Sequence, residues 1–234
     1  MMKRDYHTHS KFSDGEDLPE VLVEAGIEVG LGTIAITDHV MADSDWVWDY
    51  IDYVGNVADY YKDRIRVICG VEAKITDLKG GIDIPEGVDD YVDILLASVH
   101  RIPTGDGFLS DDEIARDVDN AINLWAKAII SAISNPSVSV IAHPGLILKN
   151  HGIEIPENIA DMVGSKIKGE AVAFEYNIGW GVPEGYLLDA LIRSGAIFTI
   201  GSDAHSASDI KRLWGSGGAG DSVPDKVKYR FVVF

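Results

Sequence analysis

Six of the seven histidines in this 234-residue sequence close a short apolar run: His7 and His9 in Asp5-Tyr6-His7-Thr8-His9, His39 after Thr37-Asp38, His100 after Ser98-Val99, His143 before Pro144, and His205 in Ser202-Asp203-Ala204-His205. Imidazoles two residues apart on extended backbone project from one face and can grip a single ion. Asp203 and His205 repeat that spacing. Glu72 lies in Gly70-Val71-Glu72-Ala73, an apolar context in which an unpaired carboxylate is expensive. Asp14, in Ser13-Asp14-Gly15, follows the first histidine pair, although Asp-Gly is also a common turn dipeptide. One histidine beside an apolar strand is ordinarily structural. Six gathered without metal would be costly to desolvate and would repel one another on protonation. Divalent ions among such ligands activate water near neutral pH and neutralise phosphoryl charge, the two requirements of phosphate ester hydrolysis.

For imidazoles so far apart in sequence to meet, their runs must end on one surface. Short β-rich runs alternate with amphipathic segments, the pattern of parallel βα units, whose strand carboxyl ends open onto one rim. Seven strands are expected, at residues 3–9, 33–39, 66–75, 91–100, 138–143, 170–177 and 197–205. Most are continuously apolar, as suits strands covered on both faces. Between the second and third, Val47, Ile51, Val54, Ala58 and Tyr61 step at helical spacing, with Asp45, Asp49, Asp52, Asp59 and Asp63 on the opposite face. Ser110-Asp111-Asp112-Glu113 reads as a capping box before Ile114, Val118, Ile122, Trp125, Ile129 and Ile133. Pro156 and Pro183 suit the first turns of later helices. Gly215 to Gly220 reads as a flexible loop and residues 227–234 as a terminal strand.

Hydrophobic residues make up 46% and charged residues 25%, a globular balance. With no linker, repeat or composition shift, residues 1–234 read as one domain. Lys and Arg number 20 against 38 Asp and Glu, a net −18 that disfavours a sequence-independent grip on nucleic acid. No apolar run reaches the roughly 18 residues of a membrane span, and no leader is apparent, so neither membrane insertion nor export is expected. The lone cysteine, Cys69, cannot form an internal disulfide; an inert buried thiol and a cytoplasmic location are expected.

The ordered set His7-Thr8-His9, Asp14, Thr37-Asp38-His39, Gly70-Val71-Glu72, Ser98-Val99-His100, Ala142-His143-Pro144 and Gly201-Ser202-Asp203-Ala204-His205 resembles the successive motifs of the polymerase and histidinol phosphatase (PHP) family. The resemblance spans about residues 3–212, leaving 213–234 as a tail. It implies an α/β fold, a distorted seven-stranded TIM-like barrel, with a trinuclear site of Zn, Mn or Fe at its C-terminal rim. Motif by motif, it implies one ion on His7, His9, Glu72 and Asp203, a second on Glu72, His100 and His143, and a third on Asp14, His39 and His205. The activity expected is hydrolysis of a small phosphomonoester by a hydroxide bridging the first two ions, with Glu72, His100, His143 and Asp203 as the catalytic set. Histidinol phosphate is one named candidate substrate. The alternatives are a single-strand 3′–5′ exonuclease and a metal-stabilised binding module; the acidic charge stands against the first, and the complete ligand set against the second.

Around this set, Arg101 follows His100 and is either a bidentate phosphate contact or a solvated loop arginine. Lys74 shares the face of Glu72 and either touches substrate or neutralises that carboxylate. Asn177, closing the sixth run, is either a substrate contact or a loop anchor. Asp38 could orient a ligand, though strand alternation aims it away from the site. Arg212 and His151 read as surface residues, and Trp46 and Trp48 as helix packing or cleft wall. The glycine-rich stretch before Asp221 lacks the Lys and Ser/Thr of a phosphate loop.

Overall fold

Residues 3–228 are described by a computed structural model. Seven strands, β1 (Lys3–Asp5), β2 (Leu31–Val40), β3 (Arg66–Lys74), β4 (Ile94–Ser98), β5 (Val140–Ile141), β6 (Ala173–Asn177) and β7 (Phe198–Gly201), form one parallel sheet in sequence order. The ends of the sheet meet: Tyr6 N–H donates to the Ile200 carbonyl at 2.8 Å, Asp203 N–H to His7 at 2.9 Å and His9 N–H to Ala204 at 2.8 Å. The sheet is thus a barrel, as the alternating pattern requires.

Alternation along the strands converts apolar packing below into a polar site above. On the inward face of β2, Ala35 is followed by Thr37 and His39; on β3, Ile68 by Gly70 and Glu72; beyond β4, Leu96 and Ser98 lead to His100. Tyr6, Ala35, Ile68, Ile94, Leu96, Val140, Ala142 and Ala173 form a buried plug beneath the site. A Cβ at Gly70 would stand 2.7 Å from Ile94 Cγ1 and 2.9 Å from Thr37 Cγ2, so the interior is too narrow there for any larger residue. The outward residues, among them Ile34, Ile36, Val71, Leu95, Phe174 and Phe198, pack on the helices. Each such side chain contributes about 1.5–3 kcal/mol on burial.

Helix α1 (Pro19–Glu28) crosses from β1 to β2, and α2 (Val47–Tyr61) from β2 to β3. The buried face of α2 is Val47, Tyr50, Val54, Val57 and Tyr61, a slight rotation from the expected stripe that brings the Tyr50 hydroxyl within 2.7 Å of the Ile36 carbonyl and 2.6 Å of that of Gly70. The capping box of Ser110 and Glu113 is present, but the helix it opens is divided into α3 (Asp111–Arg116) and α4 (Val118–Ile133). Asp117 leaves helical geometry and caps α4 by accepting from Asn120 N–H at 3.1 Å, leaving Val118 exposed.

Four short expectations need correction. After α5 (Leu146–Asn150), Pro156 stands immediately before α6 (Glu157–Lys166) rather than inside it. Pro183 lies two residues before α7 (Gly185–Arg193), because Val182 is tied by both backbone groups to Asn177 and the chain is still closing that loop. After α8 (Ala207–Trp214), the glycine-rich stretch tightens into a 3₁₀ turn at Ala219–Ser222, and residues 227–228, expected to be extended, belong to α9 (Asp225–Lys228). Residues 229–234 of that expected strand lie outside the described residues. No described helix is long and apolar enough to cross a membrane.

Candidate metal centre

All nine expected ligand side chains meet at the C-terminal rim. His39 and Glu72 are register partners on β2 and β3, with His39 Nδ1 3.1 Å from Glu72 Oε2. That same oxygen is 3.3 Å from His7 Nε2 and 3.5 Å from His9 Nε2. The other oxygen, Oε1, is 2.8 Å from His143 Nε2 and 3.2 Å from His100 Nε2. Asp203 Oδ1 lies 3.1 Å from His9 Nε2 and 3.6 Å from His7 Nε2. Asp14 Oδ2 is 3.5 Å from His39 Nε2 and 3.4 Å from His205 Nε2.

These atoms form four overlapping groups, each spanning no more than 4.8 Å: His7, His9 and Asp203; His7, Glu72 and His143; His39, Glu72 and His100; and His9, Asp14, His39 and His205. His7, His9 and His39 therefore reach into more groups than the motif-by-motif assignment gave them. The fit to divalent ions rests on stranded atoms. His9 Nδ1 is buried without a hydrogen-bond partner, and Glu72 Oε2, though three imidazoles face it, is aligned for a bond with none of them, a cost that an ion would remove. The nitrogen and oxygen donor set suits several first-row ions.

Two of the candidate ligands also carry backbone strain. His143, at φ 26°, and Asp203, at φ 56°, are the non-glycine residues with positive φ among those described. That conformation ends β5 and β7 and turns both side chains across the barrel mouth, a concentration of strain typical of functional sites.

A family model for the PHP domain matches residues 5–178. The chain belongs to the PHP domain family. It is 30% identical over 227 residues to a probable phosphatase of Thermoanaerobacter sp. (strain X514), covering 89% of this chain and 81% of that one. Among solved structures, a histidinol phosphate phosphatase from Lactococcus lactis subsp. lactis Il1403, complexed with zinc, L-histidinol and phosphate, shares the fold with a TM-score of 0.67 at 23% identity, over 89% of each chain. A chain of an archaeal ribonuclease P bound to mature tRNA shares it with a TM-score of 0.51 at 16% identity, over 91% of this chain and 78% of that one.

Behind the candidate ligands of this PHP domain lies a layer of buried acids. Glu175, not singled out from the sequence, lies with Oε1 2.8 Å from His7 Nδ1, while Oε2 accepts from the His143 backbone N–H at 2.5 Å. A carboxylate at Nδ1 favours a proton there and so would leave Nε2 as the nitrogen able to take an ion. Its signal was the one that marked Glu72: an acid inside an apolar strand. Asp5 accepts from Ser202 N–H at 2.9 Å, Ser202 Oγ at 2.6 Å and Trp214 Nε1 at 2.7 Å, tying β1 to the β7 exit; burial outweighs these bonds and pushes its carboxyl up to about 6. Asp38 points away from the ligands, as alternation required. It accepts from Ser10 N–H at 2.8 Å, Ser10 Oγ at 2.7 Å and Ser13 Oγ at 2.6 Å, and so shapes the loop that presents Asp14 rather than orienting His39.

The ligands polarise one another. Burial raises the Glu72 carboxyl, but His100, His7 and His143 overcome it and hold it well below the usual range. Asp203 is likewise depressed, with His7 and His9 prevailing over burial. Burial opposes charge on His7, yet Glu175, Glu72 and Asp203 raise it well above the ordinary imidazole value; on His39 and His143 burial is likewise outweighed, chiefly by Glu72, and the shift is upward. For His9 burial prevails and the shift is downward.

The remaining candidates separate. Lys74 pairs with Asp83 at 3.1 Å rather than neutralising Glu72. Arg101 and Lys74 both lie over the Phe108 ring, at 5.0 and 5.3 Å from its centroid. Asn177 is buried, its amide donating to Glu175 at 3.3 Å and accepting from Trp180 N–H at 3.0 Å, so it anchors a loop instead of facing the cleft. Arg212 donates to Asp209 at 2.7 Å, and His151 lies 3.5 Å from Asp111. Trp46 packs against Phe12 and Tyr50, while Trp48 is exposed against Tyr91.

Proposed function

We propose that this PHP domain is a metal-dependent phosphoesterase that hydrolyses a small phosphomonoester, with three divalent ions (Zn, Mn or Fe) seated among His7, His9, Asp14, His39, Glu72, His100, His143, Asp203 and His205. The observation that carries the reading is the Glu72 carboxylate, whose two oxygens face different sets of imidazoles, as a group bridging neighbouring ions must. Ions held there supply Lewis acidity and lower the pKa of bound water toward neutrality.

The chain's own residues supply placement. Glu72 sets the spacing between groups. His100 and His143 approach its Oε1 side, and Asp203 offers Oδ1 beside His7 and His9. Arg101, next to His100 and stacked on Phe108, has no ion-pair partner among the described residues and is placed to take a substrate phosphate oxygen. The net charge of −18 favours a small substrate drawn to bound cations over a nucleic acid strand, and the lone thiol accords with a reducing cytoplasm.

A panel of an aryl phosphate, histidinol phosphate, a nucleoside monophosphate and a labelled single-stranded DNA, each with added Mn, Zn or Fe, tests the reading. Metal-dependent release of phosphate from a monoester is expected. Turnover of DNA alone would make the domain a nuclease, and no turnover with any ion would make it a binding module.

A further inference from the structure

The loop after β6 carries Trp180, a residue 50% exposed whose Nε1 donates to Asp203 Oδ2 at 2.7 Å. The carboxylate is thereby divided: Oδ1 faces His9 and His7, and Oδ2 is occupied by the indole. We infer that Trp180 is a positioning residue of the metal centre, its indole N–H holding Oδ2 of Asp203 so that Oδ1 alone is presented to an ion shared with His7 and His9.

The loop is built to hold that indole in place. Trp180 N–H donates to Asn177 Oδ1 at 3.0 Å, and its carbonyl accepts from Lys149 Nζ at 3.0 Å. Lys149 is itself paired with Glu184 at 3.1 Å. Gly181 and Val182 N–H both return to the Asn177 carbonyl, at 2.9 and 3.3 Å. A Cβ at Gly179 would stand 2.5 Å from the Ser202 carbonyl oxygen, so glycine is what lets the loop lie against the segment bearing Asp203. The Asp203 backbone is fixed by its N–H bond to His7, which leaves side-chain rotation as the freedom the indole removes. An aromatic serving as an apolar wall needs no donor aimed at a ligand. Partners of this kind orient ligands and tune affinity.

The inference rests on the reading that His7, His9 and Asp203 hold an ion, and its test separates the two. Trp180→Phe keeps the ring and deletes the N–H. Affinity of the metal-free protein for Zn and Mn, measured by competition with a chromophoric chelator, is expected to fall about 10–100-fold, with the metal-free variant still melting cooperatively. Wild-type affinity in the variant overturns the inference. A wild-type protein that takes up no ion overturns the metal-centre reading, and the inference with it. A second readout needs no variant: in protein carrying nitrogen-labelled tryptophan, the Trp180 indole resonance is expected to shift and resist exchange on adding Zn. A resonance unmoved at saturating Zn overturns the inference.

Discussion

Oε1 of Glu175 stands 2.8 Å from Nδ1 of His7, on the side of the ring opposite the nitrogen that faces Glu72, while its second oxygen takes the backbone N–H of His143. A carboxylate can accept both bonds, whereas a glutamine has one acceptor and must turn an N–H toward one of them. Glu175→Gln is therefore expected to lower metal affinity or turnover by about 10–100-fold, measured by chelator competition and steady-state kinetics. Unchanged affinity would show that the His7 tautomer is set elsewhere.

Gly201 lies under the same pair. A Cβ there would overlap Glu175 Oε1 and come within 2.6 Å of His7 Cβ. Gly201→Ala is expected to displace both and to destabilise the fold by about 1–3 kcal/mol, the usual range for overpacking. Denaturant unfolding and metal titration of the variant check this together. A variant of wild-type stability that still binds metal would mean that the interior yields at that point.

Stability and metal binding are expected to run in opposite directions with pH. Carboxylates overcome burial to raise His7, His39 and His143 above their ordinary value of 6.5. The stabilisation these imidazoles give the metal-free fold is complete below that value and is lost as pH rises through the raised values. The depressed carboxyls of Glu72 and Asp203 contribute above their ordinary values of 4.5 and 3.8, and that contribution is lost only as pH falls. His9, shifted down, partly offsets the other imidazoles. Metal-free protein should thus melt at a higher temperature near pH 5.5 than near pH 8.5, whereas metal affinity and activity should weaken as pH drops through those raised imidazole values and be low below about pH 6, because ligands must be neutral imidazoles. Thermal melts with and without chelator check this. A metal-free melting temperature that climbs from pH 6.5 to 8.5 would contradict it.

Cys69 should be inert. Cys69 is partly buried rather than fully so, and that desolvation, with Asp93 nearby, pushes its thiol up to about 12, leaving almost no thiolate at neutral pH. Native protein is expected to resist iodoacetamide and keep full activity, and unfolded protein to label fully, as mass spectrometry would read.

Much of this site was legible because a parallel barrel converts strand order into spatial order. Once five of the seven runs end in histidines and a sixth carries Glu72, the topology brings those ends together, and β2–β3 register sets His39 beside Glu72. Strand lengths were less legible. The expected runs at 138–143 and 197–205 reach past β5 and β7, where His143 and Asp203 take positive φ, a choice imposed by the site and not by apolar pattern. Trp180 was invisible for a similar reason: its role depends on a loop folding back from Asn177, which no periodicity encodes. Asp117 shows local chemistry prevailing over pattern, a side-chain cap dividing a helix whose apolar spacing runs through it.

The central claim is that these nine side chains gather around ions. Elemental analysis of protein purified without chelator, and of the same protein after equilibration with Zn or Mn and removal of excess ion, tests it most directly. The account predicts three tightly held divalent ions per chain, lost together on acid dialysis. Trace metal only, before and after loading, would contradict it.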